Sequence, residues 1–133
     1  MKTKSIRQQV TVTGATPHEL YETIMDSRRH TKLTGDKARM SRKVGGKFTA
    51  GGGWIDGLNV ELVQDKLIVQ AWRGNDDDWP AGYYSAVRFR FTKVPGGTRL
   101  DFLHSGVPVA AYDMIRDGWQ EYYWEPLKRT FQE

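Results

Sequence analysis

The chain has 133 residues, a formal net charge of +4 and no cysteine. That length points to one domain, residues 1–133, able to bury a core without staples, and the missing thiols exclude a disulfide framework, thiolate zinc sites and a cysteine nucleophile. No apolar stretch approaches a membrane span, and no apolar run follows the basic residues Lys2 and Lys4, so a soluble cytoplasmic protein is expected.

Charge is unevenly spread. Residues 1–50 hold 11 Lys/Arg against 4 Asp/Glu, a net of +7, and residues 51–133 hold 9 against 12, a net of −3. Between Arg28 and Lys47 the only acid is Asp36. Such a basic lobe either meets an acidic partner or is simply solvated. Arg28, Arg29 and Lys32 are its candidate partner surface.

Ile6, Gln8, Val10 and Val12 share one face of an extended segment that ends at Gly14. Thr16-Pro17-His18-Glu19 is a capping box with proline at the first helical position. A short helix from Pro17 to about Asp26 follows, then a second over Arg28–Leu33, closed by Gly35. From Ala38 onward turn residues recur and helical periodicity vanishes. Gly45-Gly46 and Gly51-Gly52-Gly53 interrupt short extended pieces. Leu58, Val60 and Leu62 alternate, Leu67–Arg73 favours strand, and Asn75–Pro80 is a loop. Tyr83–Thr92 alternates, with Tyr83, Ser85, Val87, Phe89 and Phe91 on one side, and Pro95-Gly96-Gly97 turns the chain into Thr98, Leu100, Phe102 and His104. The pattern is an antiparallel meander.

From about Tyr112 to Phe131 the spacing predicts a long helix burying Ile115, Trp119 and Tyr122, kinked or restarted at Pro126. Six aromatics lie in this stretch. The fold class is therefore α+β: an antiparallel sheet with one apolar face, two short helices after its first strand, and a C-terminal helix as the only element long enough to cover it. A curved sheet under one helix leaves room for a cavity. Its expected wall is Phe48, Trp54, Gln70, Trp72, Val87, Phe89, Phe102, His104, Trp119 and Tyr123, with Gln70 and His104 orienting a ligand's polar end.

Few residues carry chemistry. The phosphate-loop pattern is absent, since Phe48 follows Lys47, and the glycine runs read as bends and bulges. His18, His30 and His104 stand at no ligand spacing, so no metal and no cofactor are expected. His18 and His30 read as solvated, and His104 as an interior histidine, either bonded to a neighbour or anchoring a ligand. Ser105 adjoins His104, and neighbouring strand residues point to opposite faces, which leaves no hydrolase triad. Asp76-Asp77-Asp78 lacks the rest of a calcium loop. The basic lobe and the aromatic helix are separate in sequence, against a single-strand nucleic-acid surface. The face taken by Asn59 and Glu61 is open: one register puts them outside, and the other adds them to a polar floor with Gln70 and His104, where Glu61 would have a raised pKa.

Gly45-Gly46-Lys47-Phe48, Ile68–Arg73, Trp79-Pro80-Ala81-Gly82-Tyr83, Gly106-Val107-Pro108 and Gly118–Tyr123 occur in this order. Together they resemble the C-terminal domain of the activator of heat-shock protein 90 ATPase and its stand-alone relatives, from about Val10 to Phe131. The resemblance implies a START-like helix-grip (SRPBCC) fold and a chaperone-cofactor, stress-response setting without the activator's N-terminal docking domain. The reading that follows is a non-catalytic binding module, monomer or weak dimer, with a small hydrophobic ligand between helix and sheet. A co-chaperone stimulating an Hsp90-type ATPase by protein contact is the alternative. A cyclase- or hydrolase-like enzyme has only superfamily analogy behind it.

Overall fold

The computed structural model describes residues 1–131. Its elements in chain order are β1 (Thr3–Thr13), α1 (Pro17–Met25), α2 (Ser27–Thr34), β2 (Arg39–Met40), β3 (Lys47–Ala50), β4 (Ile55–Val63), β5 (Leu67–Gly74), β6 (Ser85–Val94), β7 (Gly97–Pro108), and a C-terminal helix in three parts. Those parts are α3 (Tyr112–Trp119), a π-helical turn (Gln120–Trp124) and α4 (Glu125–Phe131). The strands form one curved antiparallel sheet in the order β1-β7-β6-β5-β4-β3-β2, so the first strand pairs with the last and the rest is a meander. The α+β architecture expected from the pattern, with the helix-grip arrangement that the resemblance implies, is the one observed.

Local chemistry sets most boundaries. Thr16 caps α1 from its hydroxyl while Glu19 reaches back to the Thr16 backbone, completing the reciprocal box. Gly35 closes α2 at φ 84°, a left-handed cap that glycine adopts without penalty. The Gly51-Gly52-Gly53 run is a tight turn between β3 and β4, with all three residues at positive φ, rather than a bulge within a strand. β6 starts at Ser85, two residues later than the alternation suggested, because Tyr83 serves the preceding loop. Arg73 donates to the carbonyls of Trp79, Pro80 and Tyr83, and the Tyr83 hydroxyl donates to the Gly106 carbonyl. Gly106 has φ 74°, and a Cβ there would come within 2.7 Å of that hydroxyl.

β4 settles the open register. The pairing of β4 with β5 slips between Asn59 and Glu61, leaving Val60 as the extra residue of a bulge. Asn59 points inward, fully buried, while Leu58 and Val60 are exposed. The bulge then returns Glu61 to solvent. No carboxylate reaches the interior by this route. Asn59 instead accepts from Gln70 (3.0 Å) and donates to the carbonyls of Ser41 (2.8 Å) and Lys43 (3.0 Å), tying β4 to the β2–β3 connection.

The core lies between the concave face and the helices. It is densely aromatic: the ring centroids of Phe89 and Phe102 are 5.2 Å apart, and those of Phe102 and Trp119 4.5 Å.

Candidate functional site

The C-terminal helix organises the interior. A straight α-helix would put Tyr122 on the stripe of Ile115 and Trp119. Pro126 cannot donate a backbone hydrogen bond, and the ladder widens just before it, with Glu125 N–H reaching the Gln120 carbonyl five residues back. The wider turn moves the inward stripe on by one residue. Tyr123, Trp124 and Leu127 become buried, and Tyr122 turns outward with 46% of its surface exposed, contrary to the expectation that it packs on the sheet.

Two buried histidines grip this helix from opposite sides. Trp119 Nε1 donates to His104 Nδ1 (3.0 Å), so the His104 proton resides on Nε2. Nε2 then donates to Ser85 Oγ (2.8 Å), and Ser85 donates onward to the Trp72 carbonyl (2.9 Å). One turn on, the Tyr123 hydroxyl donates to His30 Nε2 (2.7 Å), whose Nδ1 donates to the Ile24 carbonyl (2.8 Å). Trp119 and Tyr123 pack ring to ring, 4.6 Å between centroids. The helix is thus bonded to the sheet through His104 and to α1 and α2 through His30.

Burial keeps all these groups neutral. It lowers the His104 pKa to about 3, pushes that of His30 down and that of Tyr123 up, with Asp36 adding to the last. Ser85 and His104 are in contact, but His104 donates to Ser85 and its other ring nitrogen is occupied by Trp119. It cannot accept the serine proton as a general base must. The pair is a closed structural relay.

Between the C-terminal helix, the β3–β4 turn and the end of α2 lies an open cleft of about 300 Å³. Its lining is mainly apolar. Ile55, Trp72, Ile115, Trp119 and Tyr123 are its buried members, with the half-buried Trp54 beside them, and Met114 and Tyr122 stand exposed at its edge. Thr34 and Asp36 supply its polar border, and Gly118 also faces it.

Of the ten expected wall residues, the cleft brings together Trp54, Trp72, Trp119 and Tyr123. The other six, Phe48, Gln70, Val87, Phe89, Phe102 and His104, sit in the packed core and line no part of it. His104 spends both ring nitrogens on Ser85 and Trp119, and Gln70 gives its amide N–H to Asn59, so neither side chain lines the cleft. Arg28, Arg29 and Lys32 are exposed on α2 as expected. His30 is a correction: it is 3% exposed, not solvated. Its spacing of three from Leu33 on an otherwise basic helix is the signal that places both on the inner face. Met114 at the edge of the cleft and Ser85 in the relay beneath it carry no motif that announces either. His18, Glu22 and Asp65 bring potential ligand atoms within 4.8 Å of one another, yet His18 bonds Asp65 (2.9 Å) and Arg42 bonds Glu22 (2.6 Å), so these atoms already serve each other and Arg42.

Residues 14–132 match the family model described as Activator of Hsp90 ATPase homolog 1-like protein. A human relative, activator of 90 kDa heat shock protein ATPase homolog 1, is 33% identical over 115 residues, covering 86% of this chain and 33% of that protein. The chain therefore spans about a third of the length of the curated relatives it matches. Among solved structures, an HSP90 activator from Plasmodium falciparum superposes with a TM-score of 0.84 at 24% identity, over 98% of this chain and 96% of that one. The Aha1 dimer from Colwellia psychrerythraea gives 0.79 at 18% identity, over 97% and 96%. At these identities the two structures speak for the fold.

Proposed function

Because the chain belongs to the Activator of Hsp90 ATPase homolog 1-like family, we propose that it is a non-catalytic binding module that engages an Hsp90-type chaperone through the cleft beside its C-terminal helix. One observation carries the reading: the interior beneath the helix is closed by the histidine relays and stacked aromatics, and the apolar space that remains opens outward, with Met114 and Tyr122 exposed at its edge. An exposed methionine and tyrosine at the edge of a tryptophan-lined cleft suit insertion of a partner's apolar side chain. The exposed Arg28, Arg29 and Lys32 precede the Thr34 and Asp36 border in sequence and would steer an acidic partner toward it.

A second reading, a small hydrophobic ligand in the same cleft, is favoured by its volume, which sits at the lower end of the range for ligand pockets. One variant addresses both. A Cβ at Gly118 meets only Tyr122 Cδ2 at 3.9 Å, so the helix admits a side chain there, and leucine is chosen to project into the cleft that Gly118 lines. The chaperone's ATPase rate is measured with wild-type chain and with Gly118→Leu. A rate change that the variant abolishes supports protein contact at the cleft. No rate change and no complex, together with tryptophan quenching by small apolar compounds that Gly118→Leu prevents, selects the small ligand. An equal effect of both chains on the rate removes the cleft from chaperone contact, and quenching unchanged in Gly118→Leu removes it as a ligand site.

A further inference from the structure

The outer face of the sheet carries a second site, on the side away from the cleft. Arg7 on β1 pairs with Leu103 on β7, which pairs with Arg88 on β6, and in the next inward-outward repeat Gln9, Asp101 and Arg90 form a parallel row. Side chains of these rows share the outer face, because residues two apart on a strand point the same way. A groove of about 500 Å³ runs over them, lined by Arg7, Gln9, Arg88, Arg90 and Asp101.

Its arginines make no direct ion pair among the described residues, although Asp101 stands opposite Arg90 and feels its charge. Asp101, the one acid lining the groove among the described residues, is engaged by Arg99 Nε (3.0 Å) and by Gln9 Nε2 (2.7 Å). Among the described residues, no ion pair reaches Arg7, Arg88 or Arg90. Arg88 Nε is shielded from solvent and has no hydrogen-bond partner among the described residues. A buried cationic donor left unpaired is costly, and a bound oxyanion removes that cost. The spacing says how such anions are presented. Arg88 and Arg90 are separated by about 7 Å along β6, and alternate side chains of any extended peptide repeat at the same interval. Arg7 stands about 10 Å from Arg88, across the intervening strand β7.

We propose that this arginine groove binds an extended acidic polypeptide segment with carboxylates at alternating positions, one for Arg88 and the next for Arg90, with Arg7 receiving a third contact. Guanidinium forks match carboxylates in a bidentate manner, and they are weakly hydrated, which suits a half-buried sheet face flanked by Leu103. The site is independent of the cleft and of the basic face of α2.

The test uses the whole chain and three probes at low salt, read by fluorescence anisotropy or competition: a labelled peptide alternating Glu and Thr, a peptide of the same composition with its Glu residues adjacent, and inorganic phosphate. The expected result is preferential binding of the alternating peptide, weakened about tenfold or more by R88Q/R90Q and unchanged by the α2 variant R28E/R29E/K32E. Because Arg88 is partly buried, R7Q/R90Q provides a second test at two exposed positions, with the fold checked by circular dichroism, and it too should weaken binding severalfold. Binding that survives both arginine variants, binding lost in the α2 variant, or phosphate bound with the same arginine dependence while neither peptide binds, overturns the proposal.

Discussion

Acid should loosen this protein through its histidines before it reaches the carboxylates. His104 has its folded pKa lowered to about 3 by burial, against 6.5 in the unfolded chain. Below pH 6.5 the unfolded state therefore takes up a proton that the folded state refuses, and stability present above that pH is lost as pH falls toward 3. The linkage amounts to about 2 kcal/mol by pH 5 and about 4–5 kcal/mol once pH passes below the folded value. His30 is shifted the same way by burial and adds to the loss. Desolvation pushes Glu22, Asp65 and Asp101 up, but hydrogen bonds and nearby cations outweigh it and hold them below their ordinary values, so their protonation lies on the acid side of the window from 6.5 to 5. Urea unfolding at pH 8, 6 and 5, followed by tryptophan fluorescence, measures the slope directly. His104→Gln should be less stable throughout but show a shallower fall between pH 6.5 and 5. A wild-type stability that is flat from pH 8 to 5, or a slope unaltered in His104→Gln, would refute the neutral, bonded histidine on which the relay rests.

Trp119→Ala should cost roughly 3–5 kcal/mol, since it removes a side chain packed on Phe102, Phe89 and Tyr123 and orphans His104 Nδ1; a loss under about 1 kcal/mol in the same urea titration would place the helix elsewhere. Gly118→Ala should raise stability by about 0.5–1 kcal/mol, because a mid-helix glycine is replaced where a Cβ meets no clash, and a lowered denaturation midpoint would contradict that. Reversing Arg28, Arg29 and Lys32 to glutamate should shift stability by no more than about 0.5 kcal/mol, these positions being exposed, while slowing association with an acidic chaperone and flattening its salt dependence in stopped-flow measurements.

The elements written into local chemistry were readable directly. The capping box of Thr16 and Glu19, the Gly35 stop and the Pro95-Gly96-Gly97 hairpin each act within a few residues, and each appears where the spacing places it. The quoted motifs also meet in space: Trp72, Arg73, Trp79, Tyr83 and Gly106 join around one loop anchor. What escaped depends on a residue count that a periodic pattern averages away. The bulge at Val60 sends Asn59 inward and Glu61 outward, although strict alternation gives both the same face. The π-helical turn exchanges Tyr122 for Tyr123, and Pro126 signals a break without saying on which side the ladder yields. His30 sits in the most basic stretch of the chain, where composition suggests solvent, and only its helical partnership with Leu33 argues otherwise. The cavity was overdrawn for a different reason. Alternation identifies the residues that face inward, but whether they fill the space or line it depends on side-chain packing, and here Phe89, Phe102 and Trp119 fill it.

Chemical-shift mapping of the isotope-labelled chain, titrated with an unlabelled Hsp90-type chaperone, tests cleft engagement most directly. The predicted result is perturbation concentrated at Met114, Gly118 and Tyr122 and at Thr34 and Asp36 across the opening, lost in Gly118→Leu. Perturbations confined to the outer face of β6 and β7, or a spectrum unchanged by the chaperone, would contradict it.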